Sequence, residues 1–301
     1  MQSAYSLLIA ASDNLPVQET YLEESISRLH ELYTLQSQLF TLLLAKAEKQ
    51  RKANLSSFTG NKTRLDTSLN FVHNKVLHQY KESPTLANYP LEDKAVKWDD
   101  FEEIIELVWE KVLKSNTYAA FMELEKPDYK ADKEFVITMF KKHIAPNEDL
   151  ADFYETQELT WVDDIPFVNT WILRNIQNLK PKAVFNPDRL FKDVEDKTFG
   201  RNLFRKTVLN FTKYEEDIAK KTPNWDSSRI TKVDKLLMVM AIVEFQHFPS
   251  IPTKVSINEY IEISKDYATD KSAYFINGVL DKLLEDYTKS GKIKKIGRGL
   301  L

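Results

Sequence analysis

The sequence predicts an all-α protein, and three observations carry that reading. Apolar residues recur at helical spacing in segment after segment. No run of alternating β-branched residues reads as a strand. The chain also holds only six glycines, too few for the turns of a hairpin-built fold. With 301 residues, 43% of them hydrophobic and 29% charged, it has the balance of a globular chain able to bury one large core or two modest ones.

From Gln18, the positions Leu22, Ile26, Leu29, Tyr33, Phe40 and Leu43 form a nearly heptad stripe that ends in the charged stretch Lys46 to Lys52. At 1.5 Å per residue this predicts a helix approaching ~50 Å. Gln36 interrupts the stripe, which favours bundle core over a free coiled coil. Asn54 to Lys62 reads as a polar linker, Leu65, Leu69, Val72 and Val76 as a further helix, and Lys81 to Pro90 as a second break. Asp99 or Asp100 is placed to cap a helix carrying Phe101, Ile104, Ile105, Val108 and Val112. Shorter helices follow around Tyr118, at Val136 to Ile144 and at Ile165 to Leu179, and Pro181 and Pro187 mark the next loop. Thr198 to Lys220 carries Phe199, Leu203, Val208, Phe211 and Ile218.

Three more helical patterns close the chain. Ile230 to Phe245 places Val233, Leu236, Leu237, Met240 and Ala241 on a core face, with Ser227 or Ser228 as the cap and Pro249 and Pro252 just past its end. The next starts near Val255 and turns Ile257, Tyr260, Ile261 and Ser264 inward. The last opens at Ser272 as N-cap and aligns Phe275, Ile276, Val279, Leu280, Leu283, Leu284 and Tyr287. Gly278 interrupts that face at a cost of about 1 kcal/mol, which predicts a close approach by a helix, backbone or ligand.

The absence of cysteine excludes disulfides, thiolate nucleophiles and cysteine zinc sites, and makes the cytoplasm the expected compartment. No stretch approaches the ~20 apolar residues of a membrane span, and Ala4 to Ala11 is too short and uncharged at its flank for a signal peptide. The net charge of −3 confines any nucleic-acid contact to a local patch; the tail with Lys292, Lys294 and Lys295 is one, unless it is simply a solvated terminus. Neither a phosphate-binding glycine loop nor a nucleophile elbow is present. Glu102, Glu103 and Glu106 read as a solvated helix face. Glu244 and His247 have the Glu-x-x-His spacing of di-iron carboxylate sites, but such a bundle needs that element twice. His30, His73, His78 and His143 lie on separate segments. No metal, cofactor or catalytic residue is therefore expected.

Three short segments narrow the reading. Lys232-Val-Asp-Lys, Ile251-Pro-Thr-Lys-Val-Ser-Ile-Asn-Glu and Phe275-Ile-Asn-Gly-Val-Leu-Asp-Lys282 resemble the signature of the transcription antitermination factor NusB family, in the same order and at the family's spacing. The resemblance covers Phe199 to Tyr287 and reappears in Met1-Gln-Ser-Ala-Tyr-Ser6. It implies a NusB-like bundle enlarged by additional helices: residues 1–14 as a first helix with a shortened start, 15–197 as an inserted region, 198–288 as the helical core and 289–301 as a basic tail. It implies no catalytic activity, and binding of boxA-like single-stranded RNA together with a NusE-type small-subunit ribosomal protein in a transcription elongation complex.

The RNA-contacting positions of the family fall on Gln2, Tyr5, Tyr267, Asp270, Lys271, Ser272 and Phe275, with Asn277 and Lys282 as phosphate or sugar contacts. Aromatic rings suit stacking on unpaired bases, and a helix N-terminus suits phosphate, although Tyr267 and Phe275 can equally be core. Asp234 and Glu244 stand as exposed acids facing a basic partner, while Val239 replaces a family arginine. An arginine-rich stretch expected before the first helix has no counterpart in this sequence. A helical interaction scaffold that has lost RNA binding is the alternative; an RNA-modifying enzyme would need an α/β domain that the sequence lacks.

Overall fold

The computed structural model describes residues 1–10, 14–56, 69–89, 95–223 and 230–300. All the regular elements among them are helical. The chain divides into two compact units, one formed by Met1–Glu24 with Phe191–Leu301 and the other by Ser25–Leu190.

Helix α1 spans Gln2–Ala10, and α2 runs unbroken from Leu15 to Ser56. Its middle is the spine of the Ser25–Leu190 unit: Leu32, Tyr33, Leu35, Leu39, Phe40, Leu43 and Leu44 are all buried. Gln36, the polar interruption, is buried too: its Nε2 donates to Asn169 Oδ1 at 2.8 Å, while its Oε1 finds no partner among the described residues. Around this spine pack α3 (Leu69–Val72), α4 (Lys75–Lys81), α5 (Pro84–Ala87), α6 (Glu102–Leu113), α7 (Asn116–Met122), α8 (Tyr129–Met139), α9 (Glu148–Gln157) and α10 (Trp161–Asn178). Stacked rings fill the interior, among them Tyr33 on Trp171 with centroids 4.1 Å apart and Phe121 on Phe135 at the same separation. The buried indoles find acceptors, Trp98 Nε1 at Leu35 O and Trp161 Nε1 at Arg28 O.

Several expected boundaries move for local reasons. The helix expected through Leu65, Leu69, Val72 and Val76 is two short ones where it is described, because Asn74 Oδ1 accepts from the Val76 and Leu77 N–H groups and so caps α4; Leu65 lies outside the described residues. The break after Lys81 contains α5, capped by Ser83. Asp99 and Asp100 do not cap α6; they sit in a 3₁₀ turn, and Phe101 holds the cap position without a side-chain bond. Asp128 and Asn147 cap α8 and α9, which begins a helix earlier than expected and adds one that the apolar pattern did not reveal.

In the other unit, α11 (Val194–Lys221), α12 (Lys232–His247), α13 (Thr253–Tyr267) and α14 (Ser272–Lys289) assemble with α1. Helix α12 is the centre. Every residue from Leu236 to Phe245 is buried, the mark of a helix that is covered on all sides rather than along one stripe. Val239 is completely buried in that run and so offers no surface where the family arginine would stand. The serines expected to cap α12 lie outside the described residues; Thr231 caps it, with Asp234 closing a reciprocal capping box.

The C-terminal segment is docked, not frayed. Gly291, at φ +67°, ends α14: the Gly291 N–H donates to Thr288 O at 3.1 Å and the Lys292 N–H to Tyr287 O at 2.9 Å, a Schellman motif. Lys295 Nζ then donates to the Glu244 and Phe248 carbonyls at the end of α12, and the Ile296 N–H to Pro249 O. Gly299 passes so close that a β-carbon there would overlap the Pro249 carbonyl.

Candidate nucleic-acid interface

The start of α14 is built from the turn before it. Lys271, not Ser272, holds the cap position, and Ser272 is buried: its Oγ accepts from the Thr269 N–H at 3.2 Å and bonds the Thr269 hydroxyl at 2.9 Å. Ser272 thus shapes the turn instead of presenting its side chain outward. The turn leaves Asp270 and Lys271 exposed, and the first turn of α14 raises Tyr274, at 86% the most exposed large apolar side chain described.

Beside this turn lies a cavity of about 980 Å³. Lys220 and Lys221 at the end of α11 line it, as do Lys271, Tyr274, Phe275 and Lys282 of the α14 region. Its size lies in the range of small-ligand sites, and its walls mix aromatic surface with cations. Lys220 is paired with Asp217 at 3.1 Å and Lys221 with Asp286. Among the described residues Lys271 and Lys282 have no carboxylate partner. Gly278 also lines the cavity, and a β-carbon there would meet nothing within 4 Å. No helix or backbone segment among the described residues makes the close approach expected at this glycine; the residue opens on the cavity instead.

The remaining expected positions are distributed around this site. Phe275 is half-buried, packed against the core on one side while lining the cavity on the other. Asn277 donates to Asp281 Oδ2 at 3.2 Å. Gln2 Nε2 donates to the Tyr267 hydroxyl at 3.3 Å, joining the first turn of α1 to the last turn of α13, while Tyr5 packs half-buried against the core. Lys271, Ser272, Phe275 and Lys282 thus line one cavity, with Gln2 and Tyr267 meeting in a separate pair.

Two acids expected at the surface are not there. Glu244 is buried, accepting from Ser256 Oγ at 2.6 Å and from the Tyr260 hydroxyl at 2.7 Å. It fastens α12 to α13; burial and then the Glu244 charge push the Tyr260 hydroxyl well above its usual pKa. Asp234 is likewise buried, one oxygen accepting from the Thr231 N–H of the capping box. Helix geometry explains both corrections: α12 is enclosed all round from Leu236 to Phe245, which takes in Glu244, and Asp234 is turned into the cap, where it reaches only the wall of the cavity. Conversely, Lys220, Lys221 and Tyr274 are cavity residues that the sequence reading passed over. Tyr274 carried a usable signal, an aromatic lying off the apolar stripe of its own helix.

The site is therefore a lysine-rimmed, aromatic-walled cavity on an all-helical bundle, and comparison with known proteins agrees with the signature segments. The NusB family model matches residues 172–285. The transcription antitermination protein NusB of Salinibacter ruber is 40% identical over 112 residues, 37% of this chain and 70% of that protein. The NusB proteins of Chloroherpeton thalassium (39% over 115 residues) and Natranaerobius thermophilus (41% over 85 residues) match 38% and 28% of this chain and 54% and 61% of their own lengths. No solved structure matches significantly. This chain belongs to the NusB family.

Proposed function

We propose that the chain is an RNA-binding transcription antitermination adaptor, which holds boxA-like single-stranded RNA together with a NusE-type small-subunit ribosomal protein and performs no catalysis. The observation that carries this reading is the cavity at the start of α14, where Lys271 and Lys282 stand without carboxylate partners beside Tyr274 and Phe275. Cations there offer phosphate contacts, and an exposed ring beside a half-buried one offers stacking surface, the combination used to hold unpaired nucleotides. The names of the matched relatives support the antitermination role. Among the described residues no helix is long and apolar enough to cross a membrane.

The test is titration of a fluorescent boxA-like RNA with the chain, alone and with the NusE-type protein, alongside Tyr274→Ala and Phe275→Ala. Each variant is expected to lose ~1–3 kcal/mol of binding, the worth of one stacked base. Tyr274 is nearly fully exposed, so its variant tests binding without a folding cost. Unchanged affinity in both variants, or no binding by the parent even with the partner present, would overturn the proposal in favour of an interaction scaffold.

A further inference from the structure

Helix α11 distributes its cations unequally. On one side Arg201 pairs with Glu23 at 3.2 Å and Arg205 with Glu19 at 2.7 Å. Lys206, Lys213 and Lys220 recur at intervals of seven, which keeps them on a common face, and of these only Lys220 has a carboxylate partner among the described residues. Lys206 is half-buried, and Lys213 Nζ lies 4.9 Å from the centroid of the Tyr214 ring. The Tyr214 hydroxyl in turn bonds His247 Nε2 at 3.2 Å, at the end of α12. Burial first, then the charges of Lys206 and Lys213, hold the His247 imidazole below its usual pKa, so both lysines act on that ring. Lys206 and Lys213, about 10 Å apart at 1.5 Å per residue, thus leave two cations along this face that no carboxylate among the described residues neutralises. Of the acids along this face, Glu216 is exposed and has no cation partner among the described residues, and Asp217 is engaged by Lys220 and Tyr287.

The third lysine of the series gives the direction. Lys220 lines the cavity, and Lys206 is fourteen residues away along the same helix, about 21 Å at 1.5 Å per residue. We propose that Lys206 and Lys213, with His247 beside them, form a phosphate-binding track along α11 that carries the RNA flanking the cavity. The inference rests on the RNA-binding reading above and adds to it a second set of contacts, outside the signature segments. At the ~3.4 Å rise of a stacked strand the track accommodates about six nucleotides. It reads backbone charge and not base identity, since lysines contact phosphate without distinguishing bases.

The test uses nested single-stranded RNAs that share a core bound by the wild-type chain, with and without about six additional nucleotides at either end. Affinity is measured across a salt series for the wild type and for Lys206→Gln with Lys213→Gln. For the RNA extended at the correct end, the double variant is expected to lower the slope of log affinity against log salt by about 1.4, two contacts at ~0.7 each, while its affinity for the core RNA stays unchanged. Equal losses on core and extended RNAs, or none on either extension, would overturn the track while leaving cavity binding intact. Failure of the wild type to bind any of the RNAs would overturn the underlying reading and the track with it. Thermal melting confirms that the glutamine variants fold.

Discussion

At the scale of single residues, burial decides what an ionisable group can do. Asp234 and Glu244 have the charge a basic partner would want, but the first closes a helix cap and the second accepts two hydroxyls inside the core. Asp164, at the start of α10, shows the energetic side of the same rule. Burial, followed by the charges of Asp163 and Glu158, pushes its carboxyl up to about 6. A raised carboxyl pKa means that the folded state holds the proton more tightly than the unfolded chain. Its contribution to stability is therefore full below about pH 4, the ordinary value for aspartate, and is lost as pH rises through about 6. Asp164→Asn is expected to raise the denaturation midpoint at pH 7.5 and leave it unchanged near pH 4; equal effects at both pH values would show that the carboxyl is not perturbed in this way.

At the scale of elements, the signals that could be read from sequence were those with a period. The stripe from Leu22 to Leu43 and the closely spaced apolar residues of α12 and α14 mark helices because burying one face of a helix repeats at 3.6 residues. What escaped was set by single polar contacts: the Asn74 cap that divides one expected helix into two, and the Asn147 cap that opens α9. The tail escaped for a related reason. Its composition is that of a solvated terminus, and only the fold reveals that Lys295 satisfies two carbonyls at the end of α12 while Gly299 fits against Pro249. Gly299→Ala should release this segment, costing on the order of 1–2 kcal/mol and abolishing hydrogen-exchange protection at the Ile296 amide. Retained protection would show that the close approach is not required for docking.

At the scale of the whole molecule, family membership and the all-helical class were legible in three short segments and in the pattern of apolar spacing, whereas the site was legible only in part. Lys271, Phe275 and Lys282 stood in or beside the signature; Lys220, Lys221 and Tyr274 reach the same cavity through packing, which no local pattern encodes. A net charge of −3 cannot itself draw the chain to RNA, so the account depends on local, unpaired cations. Most direct as a test of that central claim is the salt dependence of wild-type affinity for boxA-like RNA. Three or four phosphate contacts correspond to a log–log slope of about −2 to −3, at ~0.7 per contact on a single strand. A slope in that range is the expected result; a flat dependence would contradict the account, because the lysines at the cavity and along α11 would then play no part in holding RNA.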